Sequence, residues 1–87
     1  MAVRQPTVTE TLSKRWGKAV AARRKELGFS QAALASLCDV TQQCISRIEL
    51  GLSLPADHLK AKIADSLMQE PADLFEWPSR AEMQAVA

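Results

Sequence analysis

Apolar side chains recur along most of this chain three and four residues apart, the spacing that stacks them on one face of an α-helix. Leu12, Trp16, Val20 and Leu27 define the first such face. Thr7 and Glu10 are spaced as a capping box before it, and Gly28 is placed to supply a left-handed stop after it. Ser30 is a good N-cap for a second helix running to about Leu37, and Phe29 just before it can pack on Leu34 as a hydrophobic staple. Cys38-Asp39-Val40 reads as a short turn, after which Thr41 caps a third helix that carries Ile45 and Ile48 inward and stops at Gly51. Pro55 suits the first position of a fourth helix with Leu59, Ile63 and Leu67 as its stripe, and Pro71 opens a short fifth helix with Leu74 and Phe75. Ser79 and Glu82 repeat the capping-box spacing, with Met83 and Val86 on one side, a weaker helical signal. No segment alternates as a strand would, and no internal repeat or low-complexity tract stands out. The fold class is therefore expected to be all-α with five helices, organised as an N-terminal arm (1–8), one domain (9–77) and a C-terminal tail (78–87).

Composition narrows the setting. With 87 residues, 47% of them hydrophobic, the chain can build one core, and a domain this small buries about 60 to 65% of its unfolded surface. No apolar run approaches the roughly 18 residues that would cross a bilayer, and the N-terminus Met1-Ala2-Val3-Arg4-Gln5-Pro6 lacks the apolar stretch of a signal peptide. A cytoplasmic protein without membrane contact is the expectation. Cys38 and Cys44 lie six apart with His58 as the only further soft ligand, so a tetrahedral zinc site cannot be completed within one chain. Free, reduced, partly buried thiols are expected, with no metal and no cofactor.

The net charge of +1 conceals an asymmetry. Residues 1–50 carry eight Lys or Arg (Arg4, Lys14, Arg15, Lys18, Arg23, Arg24, Lys25, Arg47) against four acids (Glu10, Glu26, Asp39, Glu49), a balance of +4. Residues 51–87 balance at −3. One basic face for a polyanion would produce these counts, as would a solvated charged helix face.

Two short helices joined by a tight turn form a helix-turn-helix, whose second helix enters the DNA major groove N-terminus first. Residues 31–50 fit that plan. Ala35 is small where the two helices must cross, Val40 and Ile45 plug the angle between them, and Leu34 and Ile48 anchor the pair on the core. The second helix would display Thr41, Gln42, Gln43, Ser46 and Arg47 outward. Glutamine can pair with adenine N6 and N7 and arginine with guanine O6 and N7, each worth about 1 to 3 kcal/mol of discrimination. Gln42, Gln43 and Arg47 are the expected base readers. Gln31, opening the first helix of the unit, is placed to fix a phosphate and brace Gln42. Ser53, after Gly51, is a candidate for another phosphate, and Lys14, Arg15 and Lys18 serve either as electrostatic attraction or as a merely solvated face.

The run Phe29-Ser30-Gln31-Ala32-Ala33-Leu34-Ala35, followed by Val40-Thr41-Gln42-Gln43-Cys44-Ile45-Ser46-Arg47-Ile48-Glu49-Leu50-Gly51, resembles the lambdoid repressor and Cro family, also called the XRE family. The likeness extends over about residues 12–77 and implies a lambda-repressor-like domain of five helices, with the helix-turn-helix formed by the second and third. Asp39 stands where the family usually has glycine, implying a left-handed turn under modest strain. Full-length lambdoid repressors add a dimerisation and self-cleavage domain that these 87 residues do not include, so a single-domain member nearer to Cro is the expectation. The resemblance also implies a structural ion pair between Arg24 and Glu49, and base reading by the glutamines of the Thr41-Gln42-Gln43 opening, with Arg47 standing where a phage repressor sharing that opening has glutamine.

The chain is accordingly expected to be a transcriptional regulator that binds a pseudo-palindromic operator in double-stranded DNA as a homodimer, acting as a repressor or controller. Leu74, Phe75 and Trp77 are the expected dimer interface, with the tail as an additional partner surface. Polymerase is a candidate protein partner. The alternative is an antitoxin that neutralises a protein toxin and regulates its own operon. Trp16 and Trp77 sit at core-like spacings, and His58 has no Ser, Cys or paired acids arranged around it, so no catalytic site and no enzyme are expected.

Overall fold

The computed structural model describes residues 8–77, which contain five α-helices: α1 (Val8–Glu26), α2 (Gln31–Cys38), α3 (Gln42–Glu49), α4 (Asp57–Ser66) and α5 (Pro71–Leu74). No strand occurs among the described residues. The core joins the stripes expected from periodicity: Leu12, Trp16 and Val20 of α1, Leu34 of α2, Ile45 and Ile48 of α3, Leu59 and Ile63 of α4, closed by Leu67, Leu74 and Phe75. Each fully buried Leu or Ile in it contributes about 1.5 to 3 kcal/mol by leaving water. Leu27, Phe29 and Val40 pack against its margin.

Helix ends form where local chemistry supplies partners for free backbone groups. Ser30 Oγ accepts the Ala33 amide at 3.0 Å and Thr41 Oγ1 accepts the Cys44 amide at 3.1 Å, so both short helices are capped by hydroxyls. Asp39 closes α2 in the left-handed conformation (φ 56°, ψ 45°), and the Val40 amide returns to the Ala35 carbonyl at 3.0 Å. Pro55 is not the first residue of α4. Ala56, extended at ψ 159°, is the N-cap, Asp57 opens the helix, and Pro55 is buried in the loop before it. The Thr7–Glu10 capping box and the Ser79–Glu82 tail signal fall outside the described residues or side chains.

α1 is the common support. It packs on α3 along one side and on α5 along another, while α2 lies against α3 and α4. Arg23 Nε donates to the Leu67 carbonyl at 2.9 Å, satisfying a group at the end of α4. Trp16 Nε1 donates to the Glu76 carbonyl at 2.8 Å, and its ring meets Phe75 and Trp77 edge-on at 5.6 and 5.8 Å between centroids. Lys60 Nζ lies 4.2 Å from the Trp16 ring centre, a cation–π contact that closes the cluster from the α4 side.

This packing corrects the expected dimer interface. Leu74 and Phe75 are only 2% and 4% exposed, because α5 folds back on α1 and α4 and spends its apolar side chains on the chain's own core. Neither has surface to offer a second copy. Trp77 is 60% exposed, so it is not a core residue, and it meets Trp16 in a T-shaped ring contact.

Candidate nucleic-acid interface

α3 divides its residues sharply by face. Ile45 and Ile48 are buried on the inner side, with Cys44 half-buried beside them, while Gln42, Gln43 and Arg47 are exposed and Ser46 is half-exposed between them. Thr41, at the N-cap, is exposed too; its oxygen accepts from Cys44, which leaves the hydroxyl proton free to donate outward. Every side chain from Thr41 to Arg47 that faces outward therefore carries a hydrogen-bond donor, and the glutamines also carry acceptors. Exposed carboxylates are absent from that face of α3.

At the other end of α3, Glu49 turns back into the protein. Arg24 Nε and Nη2 grip its two carboxylate oxygens at 2.7 and 3.0 Å, and Arg24 Nη1 donates to the Phe29 carbonyl at 2.7 Å. The two side chains are 10% and 6% exposed, and the hydrogen bonds to Glu49 hold the guanidinium still more firmly protonated against the opposing effect of burial. This fork ties α1 to the end of α3 and to the loop that opens α2.

Gln31 joins the same knot. Its Nε2 donates to Glu49 Oε1 at 2.9 Å, an anchor that the sequence reading, which paired Gln31 with Gln42, did not include. The carboxylate offers a full negative charge where Gln42 offers a neutral amide, and a charge-assisted bond is the stronger one. One amide proton and the carbonyl oxygen of Gln31 stay available at the start of α2. Ser53 is half-buried in the loop after α3, whose neighbours Leu50, Leu52 and Leu54 are exposed. Lys14 and Lys18 are exposed on α1, and Arg15 lies 4.0 Å from Glu76.

Two glycines seat the end of α3 on α1. A Cβ at Gly17 would stand 2.4 Å from the Ile48 carbonyl oxygen and 2.7 Å from that of Glu49, so α1 meets α3 there backbone to backbone. Gly51, at φ 75°, lies against the Lys14 backbone and side chain in the same way. Neither contact was anticipated in the sequence. The signal was there in Gly17 itself: glycine inside a helix costs about 1 kcal/mol relative to alanine and needs a reason.

The cysteines lie apart from the exposed face. Cys38 is buried, 3.7 Å from the Ser66 hydroxyl, and burial pushes its thiol up from the ordinary range; Cys44 is a half-buried free thiol. His58 is exposed near the start of α4.

The helix-turn-helix family HTH_3 matches residues 20–67, which takes in α2, α3 and α4. No curated protein matches the chain. Among solved structures, the restriction-modification controller protein C.AhdI from Aeromonas hydrophila is similar at 27% identity and a TM-score of 0.70, over 72% of this chain and 96% of that one. An HTH_3 family transcriptional regulator from Vibrio cholerae shares 27% identity at a TM-score of 0.71, over 77% of this chain and 38% of that one. The clp gene regulator ClgR from Corynebacterium glutamicum shares the fold at 24% identity and a TM-score of 0.72, over 82% and 71% of the two chains. The match across the capped helix pair and its supporting helices places this chain in the HTH_3, or XRE-type, helix-turn-helix family of DNA-binding transcription regulators.

Proposed function

We propose that the protein controls transcription by reading a pseudo-palindromic operator as a homodimer, with Gln42, Gln43 and Arg47 on base edges and Thr41, Ser46, Gln31 and Ser53 on the flanking backbone. The observation that carries this reading is the division of α3, whose inner face is fully committed to the core while its outer face presents base-competent polar groups. A helix serving only to contact another protein would have no need of that face. Two copies with reading helices about 34 Å apart would engage successive major grooves on one side of the duplex.

Surface for the second copy is available beside the reader. Leu50, Leu52 and Leu54 are all exposed in the loop that leaves α3, a concentration of apolar area that supports an interface there.

The test is selection of bound sequences from a randomised duplex pool, followed by titration of the enriched site at two salt concentrations. A palindromic motif is expected, with Gln43→Ala relaxing preference at one base pair per half-site by about 1 to 3 kcal/mol. Weak, salt-sensitive binding with no enriched motif would overturn the reading and favour a role in binding a partner protein, as in an antitoxin.

A further inference from the structure

The side of α1 that faces α3 is a bed, and its closest backbone approaches lie at the C-terminal end of α3. Lys14, Gly17 and Arg24 follow one another at intervals of three and seven along α1, which keeps them on a single face. Lys14 lies under Gly51, Gly17 under the Ile48 and Glu49 carbonyls, and Arg24 under the Glu49 carboxylate. All these contacts fall on the last turn of α3 or just beyond it. The first turn follows directly on α2 through the tight turn in which the Val40 amide bonds the Ala35 carbonyl, and α2 also reaches the far end through the Gln31 bond to Glu49.

A helix tied at its start to a tight turn and seated at its end against another backbone has its tilt set by the height of that seat. At Gly17 the seat is as low as two backbones permit. An added Cβ at 2.4 Å from a backbone oxygen must gain about 0.6 Å merely to reach 3.0 Å, and the atoms it meets cannot rotate out of the way. The end of α3 would lift and its start would serve as the pivot.

We infer that Gly17 is a specificity-determining positioning residue, which sets the angle at which α3 enters the groove and so governs reading by Arg47 more than reading by Gln42 and Gln43. The inference rests on the proposed roles of those three side chains. At about 1.5 Å of rise per residue, Arg47 lies roughly 9 Å along the helix from Thr41, whereas Gln42 and Gln43 lie within about 3 Å of it. Lifting the far end therefore displaces Arg47 most, and a planar bidentate pair tolerates only about 0.5 Å of error.

The experiment compares the wild-type protein, Gly17→Ala and Arg47→Ala on the enriched duplex and on every single-base-pair variant of one half-site, with circular dichroism melts in parallel. Gly17→Ala is expected to stay helical and to melt cooperatively. It should lose about tenfold in discrimination at the base pair where Arg47→Ala loses it, a loss of the size set by one bidentate pair, and keep discrimination elsewhere within about twofold. A uniform loss across all positions, or an unchanged profile, would overturn the inference while leaving the operator reading intact. Failure of the wild-type protein to enrich any motif would instead overturn the operator reading, and this inference with it. If Gly17→Ala does not fold, Gly51→Ala presses on the same end of α3 through Lys14 and is expected to give the same position-specific loss. Unfolding of both variants, or a uniform loss in Gly51→Ala, would show the bed to be structural support alone and overturn the inference.

Discussion

At the scale of single residues, burial separates groups that are chemically alike. Cys38 and Cys44 are both free thiols six positions apart, but Cys38 is buried, and desolvation pushes its thiol up because the thiolate is the form that loses hydration. Thiolate is the nucleophile in alkylation. Cys44 should therefore react with iodoacetamide in the native protein at pH 8 at least about tenfold faster than Cys38, with the difference vanishing in denaturant. Peptide mapping of the alkylated protein reads both sites, and equal native rates would show that Cys38 is less protected than its packing indicates. Gln31 makes a related point. Its chemistry was plain in the sequence, but its partner was not, since Glu49 lies 18 positions away and only the crossing of α2 over the end of α3 brings them together.

At the scale of the helix, the two hydroxyl caps invite comparison because one lies on the exposed reading face and the other does not. Ser30 and Thr41 make the same bond to the amide three residues on. Replacing either by alanine should lower unfolding stability by about 1 kcal/mol in a denaturant titration. Only Thr41→Ala is expected to weaken operator binding beyond what its stability loss explains, since only Thr41 has a free donor on the reading face. Equal binding by the two variants would remove Thr41 from the proposed contacts. Helices themselves were largely legible in the sequence, because the period that buries Ile45 and Ile48 also dictates that Gln42, Gln43 and Arg47 face out. Boundaries set by local chemistry were legible as well, including the left-handed Asp39. Pro55 was not, because a proline is equally at home in the first turn of a helix and in the extended segment ahead of one.

At the scale of the whole molecule, hydrophobicity tells which side chains leave water and not what covers them. Leu74 and Phe75 could have closed the monomer or a dimer on their residue types alone. The return of α5 onto Trp16 decides for the monomer. Gly17, a glycine inside a helix, signals that something comes close, but nothing local reveals which backbone will come to rest on it. With α5 spent internally, the exposed leucines after α3 become the surface on which the homodimer can be tested. Leu52→Glu should leave the melt unchanged, since the side chain is 61% exposed. It should also reduce affinity for the full palindrome at least about tenfold, by placing like charges opposite one another, while affinity for an isolated half-site stays the same. Equal losses on both duplexes would locate Leu52 against DNA instead of a second copy.

The bond from Trp16 to the Glu76 carbonyl spans 60 positions of sequence. A ribosome delivers α1 first and that carbonyl 60 residues later, so the helix on which α3 rests is without its closing partner while the intervening helices are being made. Helices as short as α2 and α3 have little stability in isolation. Nascent chains that stop short of Glu76 thus lack a settled outer face on α3, and that face is complete only once α5 and the residues just after it have emerged.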